Sequence, residues 1–350
     1  MRIVTIVGAR PQFIKAAPMS RVLRRAHEEY LIHTGQHYDA GMSDVFFEEL
    51  GIPQPDLNLG IGGLSNLEQV SRMMLALREP IEAQRPDWIL IYGDTNSTLA
   101  GALTGRLLGV PVAHIEAGLR SYNPLMPEEL NRVVADRISA ALFCPTETAA
   151  ANLAREGITD GVYVVGDVMA DALLQNRERA STAVLEANDL HLGQYFLATV
   201  HRAGNTDDPE KLKGILDAFA RLPLPVVLPA HPRLQRALEQ TGLAIGPNVR
   251  LIPPVGYLDM LGLTSSARLV LTDSGGLQKE AYILGVPCVT LREETEWVET
   301  VEAGWNRLAG TDCARIVAAV EAALSETPQA HPELYGDGRA CERIVAALES

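Results

Sequence analysis

The chain has 350 residues, 47% of them hydrophobic and 21% charged. That is a globular composition, in a length that suits two domains better than one core. Its formal charge of −14 argues against a nucleic-acid or anionic-membrane partner, which would call for a basic face.

Met1-Arg2 leads straight into Ile3-Val4-Thr5-Ile6-Val7, too short for a secretory signal and suited to a first strand. Further short β-branched runs predict strands at 30–33, 88–92, 110–115, 140–143, 162–165, 195–200, 225–229, 249–252, 268–272 and 286–291. Several are apolar throughout, as strands covered on both faces should be. Helical patterns fill the gaps at 67–84, 98–108, 128–140, 146–156, 209–221 and 276–284. This alternation predicts an α/β chain of βαβ units with doubly wound sheets. So many strands imply two such domains, 1–167 and 168–337. A last helix over 338–350, with Ile344, Val345 and Leu348 on one face, is expected to pack back on the first. No apolar run approaches the roughly 18 residues of a membrane helix. The cysteines, Cys144, Cys288, Cys313 and Cys341, show no CxxC or metal-ligand spacing. Thus no metal is expected, and a reducing, cytoplasmic setting is.

Chemistry-bearing residues gather where strands end. Asp94 follows Trp88-Ile89-Leu90-Ile91-Tyr92, Glu116 ends Val110-Pro111-Val112-Ala113-His114-Ile115, and Glu128 stands in the turn Met126-Pro127-Glu128. Ligands of open α/β sheets lie outside such carboxyl ends. Each acid also has a structural explanation: a helix cap for Asp94, a salt bridge to Arg120 for Glu116, a first-turn dipole partner for Glu128. The junction Gly8-Ala9-Arg10-Pro11-Gln12-Phe13-Ile14-Lys15 is not GxGxxG, yet it places two cations by a helix start, suited to a phosphate. Thr272-Asp273-Ser274-Gly275-Gly276 opens another helix with free N–H groups, an anion site, or else only a cap. One turn inside it, Glu280 could accept from ribose hydroxyls. His201-Arg202 and His231-Pro232-Arg233 close two more strands and could contact phosphate.

Together these segments resemble the non-hydrolysing UDP-N-acetylglucosamine 2-epimerases. The matching words are Gly8-Ala9-Arg10-Pro11, Gly93-Asp94-Thr95, His114-Ile115-Glu116-Ala117-Gly118-Leu119-Arg120, Pro127-Glu128-Glu129, Cys144-Pro145-Thr146-Glu147, His201-Arg202, Asp273-Ser274-Gly275-Gly276-Leu277-Gln278 and Tyr335-Gly336-Asp337-Gly338. The resemblance implies a GT-B-like fold, with two Rossmann-like domains and a UDP-sugar in the cleft between them. It also implies a homodimer and no cofactor. Carried over, Asp94, Glu116, Glu128 and His201 are catalytic, while Arg10, Lys15, Ser274, Gly275, Gly276 and Glu280 hold UDP. His231 joins that binding set through its local setting. The implied reaction inverts C2 by eliminating UDP to a 2-acetamidoglucal and adding it back, for surface polysaccharide precursors. A GT-B glycosyltransferase and a hydrolysing epimerase are the alternatives. Thr295-Glu296-Trp297-Val298-Glu299, Thr34-Gly35-Gln36-His37-Tyr38-Asp39 and Gln278-Lys279-Glu280 look like the UDP-2,3-diacetamido-2,3-dideoxy-glucuronate 2-epimerases. In the better-known members an Arg stands in place of Trp297. Gln36, His37 and Arg72 are expected as remnants of a second, activating site, with no obligatory activator.

Overall fold

Among the described residues, seven short strands open the chain: β1 (Arg2–Val7), β2 (Glu28–His33), β3 (Leu57–Asn58), β4 (Trp88–Tyr92), β5 (Val112–Ile115), β6 (Ala141–Cys144) and β7 (Val162–Val164). All pair in parallel, in the order β3-β2-β1-β4-β5-β6-β7. The computed structural model describes residues 1–36, 51, 53–180, 182–326, 328 and 330–350. The side chain of Arg10 and the motif residues His37, Tyr38 and Asp39 lie outside that description.

Among the described residues the helices between the strands are α1 (Arg10–Leu23), α2 (Asn66–Gln84), α3 (Asn96–Leu108), α4 (Pro127–Ile138), α5 (Glu147–Arg155) and α6 (Val168–Asn176). They form where the signals lie. Ser65 and Glu68 close a capping box on α2, Thr95 caps α3, and Pro127 opens α4. The chain winds outward from β1 to β3, then returns to β4 on the other side of β1. Such a reversal leaves a crevice at the carboxyl ends of β1 and β4.

A second sheet repeats the plan in a second unit. It contains β8 (Phe196–Thr199), β9 (Val226–Pro229), β10 (Val249–Ile252), β11 (Leu269–Thr272), β12 (Cys288–Thr290) and β13 (Asn306–Leu308). Its order is β10-β9-β8-β11-β12-β13, again parallel, so the reversal falls between β8 and β11. Phe196, Ala198, Leu269 and Leu271 join one buried cluster while Leu197 and Val270 join the opposite one. Both faces are covered, which is why the strands read as unbroken apolar runs. The helices here are α7 (Ala183–Ala187), α8 (Ala203–Thr206), α9 (Pro209–Phe219), α10 (Pro232–Thr241), α11 (Tyr257–Ser266), α12 (Gly275–Ile283), α13 (Val298–Glu302) and α14 (Cys313–Ser325).

The first unit holds Met1–Asn176 and Tyr335–Ser350, the second Arg177–Leu334. The division thus falls after Asn176 rather than after Asp167. The cause is α6, which stays with the first unit. There the Asp171 carboxylate accepts from the Ala340 and Cys341 N–H groups, which open the last helix, α15 (Ala340–Leu348). Among the described residues no helix is long and apolar enough to cross a membrane. All four cysteines are free thiols, and burial pushes Cys144 and Cys288 up to about 12.

Candidate active site

In the first unit the switch point collects charge in a buried setting. Lys15, on α1, makes an ion pair with Glu116, just past β5. Their side chains are only 6% and 8% exposed. Among the described residues Glu116 is paired with Lys15 and not with Arg120. Residues 116–120 form no helix, so their i,i+4 spacing does not bring the two side chains together. Arg120 instead grips Asp136 at 2.7 Å and Glu156 at 2.6 Å.

Glu116 has φ +69°, a left-handed conformation that costs a non-glycine residue about 1–2 kcal/mol. The Glu116 and Ala117 N–H groups both donate to the Phe143 carbonyl at 3.1 Å, which holds it there. A glutamate where glycine would be cheaper is the pattern of strain kept for a side chain's work.

Gly93 lies beside this pair. A Cβ placed there would stand 3.0 Å from Glu116 Oε2 and 3.4 Å from Lys15 Nζ, at φ +59°. Asp94 follows at once and pairs with Arg132 of α4. It does not cap α3, since that helix starts one residue later with Thr95 as its cap. Arg132 also meets Glu129 at 2.9 Å. Glu129 in turn accepts from the N–H groups of Ser121 and Tyr122. Sequence reasoning passes over Glu129 in favour of its neighbour Glu128. The structure leaves Glu128 exposed in the first turn of α4 and buries Glu129.

Gln12 has no role in the sequence reading beyond its place in a motif. Its Oε1 accepts from the N–H groups of Gly8 and Ala9, and its Nε2 donates to the Tyr92 carbonyl and Thr98 Oγ1. Those two turn N–H groups are thus engaged internally, so anion binding at this junction would fall to the cations. Gly8 is required by crowding: a Cβ would sit 2.1 Å from both Ser97 Oγ and Thr34 Oγ1. Gln36 accepts from the Ser97 N–H and hydroxyl, which gives it a structural task in capping α3.

The second unit's switch point is built around Asp273, which is fully buried. Its carboxylate accepts from the His201 and Arg202 N–H groups at 3.0–3.2 Å and from Asn205 Nδ2 at 3.1 Å. It also lies 3.3 Å from His201 Nδ1, so that edge of the ring is committed to Asp273. His231 caps α10 through Nδ1, accepting from the Arg233 N–H. The two imidazoles lie with centroids 5.4 Å apart, so the structure brings both expected histidines together.

Ser274 caps α12, and Ser274, Gly275 and Gly276 are half-buried at the helix start. Glu280 is buried one turn on. Burial, and then the Glu280 charge, push the Tyr257 phenol well up. Beside Gly275 stand Trp297, Glu296 and Arg202. Burial would raise the Glu296 carboxyl, but the bidentate Arg292 guanidinium and Arg202 hold it down at about 2. Trp297 lies with its ring under the buried Lys279 ammonium, 3.9 Å from the ring centre. There the Trp indole serves as a cation–π partner.

A Cβ on Gly275 would meet nothing closer than 3.6 Å, the Trp297 Nε1, and its φ is not left-handed. The fold itself therefore tolerates alanine. Gly275→Ala should leave the melting temperature unchanged or slightly raised, and on the UDP-binding role that the sequence resemblance implies for this helix start it should weaken UDP binding about tenfold, by crowding an anion there. Calorimetric titration with UDP checks this; unchanged affinity contradicts it.

Residues 21–349 match the family model described as UDP-N-acetylglucosamine 2-epimerase. A UDP-N-acetylglucosamine 2-epimerase homolog of Methanococcus maripaludis is 48% identical, covering 100% of both chains. The UDP-2,3-diacetamido-2,3-dideoxy-D-glucuronate 2-epimerase of Pseudomonas aeruginosa is also 48% identical, over 99% of both. The Methanocaldococcus jannaschii UDP-GlcNAc 2-epimerase, solved in complex with UDP-GlcNAc and UDP, superposes with a TM-score of 0.93. It is 42% identical, over 100% of this chain and 99% of that one. With its two parallel, doubly wound units and charged switch points, the chain belongs to the UDP-N-acetylglucosamine 2-epimerase family.

Proposed function

We propose that the protein is a non-hydrolysing UDP-sugar 2-epimerase that inverts C2 of a UDP-N-acetylglucosamine-type sugar. The observation that carries this is the buried Lys15–Glu116 pair beside Gly93-Asp94, at the first unit's switch point. C2 of such a sugar has no neighbouring carbonyl to acidify it. Removing its proton becomes feasible when the C1–O bond to UDP breaks in the same elimination, leaving a 2-acetamidoglucal. Re-addition of UDP with the proton delivered to the opposite face gives the epimer. The step needs groups that take and give a proton, a role assigned to Asp94, Glu116 and Glu128. It also needs donors for the leaving diphosphate. His201, held by Asp273, and the Ser274-Gly275-Gly276 helix start suit that part, with Arg10, Lys15 and His231 as further cations or donors and Glu280 on the ribose.

For the sugar, the 2,3-diacetamido uronate is preferred to UDP-GlcNAc. The Trp297 segment, which resembles that subgroup, supports this. Incubating the protein with each sugar nucleotide separately, and following the anomeric signals by proton NMR, tests the reading. The expected result is conversion of the uronate to its manno epimer with no free sugar released. Conversion of UDP-GlcNAc alone reverses the preference, and free sugar plus UDP replaces the mechanism with a hydrolytic one.

A further inference from the structure

A buried histidine in the middle of a central strand needs an explanation. His114 of β5 is 0% exposed and no candidate step uses it. Its Nε2 lies 2.7 Å from the Gly93 carbonyl oxygen and its Nδ1 2.8 Å from Asp136 Oδ1. Gly93 offers only a carbonyl oxygen there, so Nε2 donates to it, while Nδ1 faces the Asp136 carboxylate. Asp136, on α4, is ionised: burial would raise its carboxyl, but His114 and Arg120 hold it below the usual range. Its other oxygen accepts from the Gly118 N–H at 3.2 Å and from Arg120 at 2.7 Å.

These bonds tie one helix to two loops. The Gly93 N–H donates to the Ile115 carbonyl at 2.9 Å, and its carbonyl is held by His114. Both ends of that left-handed glycine are therefore pinned, next to Asp94 and against the Glu116–Lys15 pair. The same α4 that carries Asp136 also carries Arg132, which holds Asp94. On the far side, Asp136 fixes Gly118 and Arg120, two and four residues past Glu116.

We infer that His114, oriented by Asp136, is a positioning residue that sets Asp94 and Glu116 relative to each other through the Gly93 carbonyl. This inference rests on the epimerase reading above. Its strength lies in geometry: a catalytic group displaced by about 1 Å can lose 10²-fold in rate, and here one ring spans both loops.

Two substitutions separate positioning from mere support. A glutamine amide reaches the place of Nε2 and an asparagine amide that of Nδ1. His114→Gln thus keeps the bond to Gly93 and gives up Asp136, while His114→Asn does the reverse. We expect His114→Gln to keep kcat within about fivefold of the parent and His114→Asn to lose roughly 100-fold. KM should be similar in both, and the order of kcat independent of the order of melting temperatures. Equal losses, or losses that track melting temperature, overturn the inference. Should His114→Asn fail to fold, His114→Met, which matches glutamine in shape but donates nothing to the Gly93 carbonyl, carries the test. A kcat at least about tenfold lower at unchanged UDP affinity supports the inference, and a kcat within about twofold overturns it. A parent enzyme that converts neither sugar nucleotide sinks the epimerase reading, and this inference with it, so the two failures are told apart.

Discussion

Asp94→Asn and Glu116→Gln should each lower C2 turnover by about 10²–10⁴-fold, the usual worth of a positioned acid or base, while UDP affinity stays within about twofold. Both changes keep shape and hydrogen-bonding capacity. The amide introduced at position 116 would still accept from the Lys15 ammonium, and the amide introduced at position 94 would still accept from Arg132. Folding should therefore survive, and the loss reports the missing proton transfer. Steady-state kinetics with the preferred sugar nucleotide, and calorimetry with UDP, measure the two sides. If UDP affinity falls in the same ratio as turnover, these carboxylates serve nucleotide binding instead.

Asp136→Ala should strongly destabilise the first unit. It leaves His114 Nδ1, the Gly118 N–H and Arg120 without their shared acceptor in a place with no exposure. Breaking a buried charge pair from one side costs about 3–5 kcal/mol. For a unit of this size that is a fall in melting temperature of roughly 6–20 °C. Asp136 is held down in the folded state. Its contribution is therefore present above the unfolded carboxyl value near ~3.9 and is lost as the pH falls through the lower folded value. Glu296 behaves alike: its contribution fades as the pH drops from 4.5 toward about 2. Thermal melts from about pH 7 down to about pH 3 should show the parent losing stability on acidification and Asp136→Ala losing less of it. Parallel curves contradict the assignment.

Much of the architecture was legible because both faces of each sheet are covered, so β8 and β11 stand out as unbroken apolar runs. The edge strands β3 and β13 escaped notice because Leu57–Asn58 and Asn306–Leu308 are two and three residues long and partly polar. Their neighbours' registers, not their own composition, recruit them. At the site, the residue types were readable but the pairings were not. Lys15 and Glu116 are 101 positions apart, and only the strand order brings α1 and the end of β5 together. The same holds for Asp273. In sequence it is one residue of a helix-opening motif, and in the fold it anchors the His201 loop across 72 residues. Glu128 and Glu129 could not be ranked without knowing which way α4 turns its first turn.

The most direct test of the central claim is incubation with the sugar nucleotide in D2O, with the C2 position read by NMR. Elimination and re-addition predict deuterium at C2 of the epimerised product, appearing at the rate of epimerisation and absent from Asp94→Asn. Inversion without deuterium at C2, or a protein that exchanges nothing while binding UDP tightly, would contradict it.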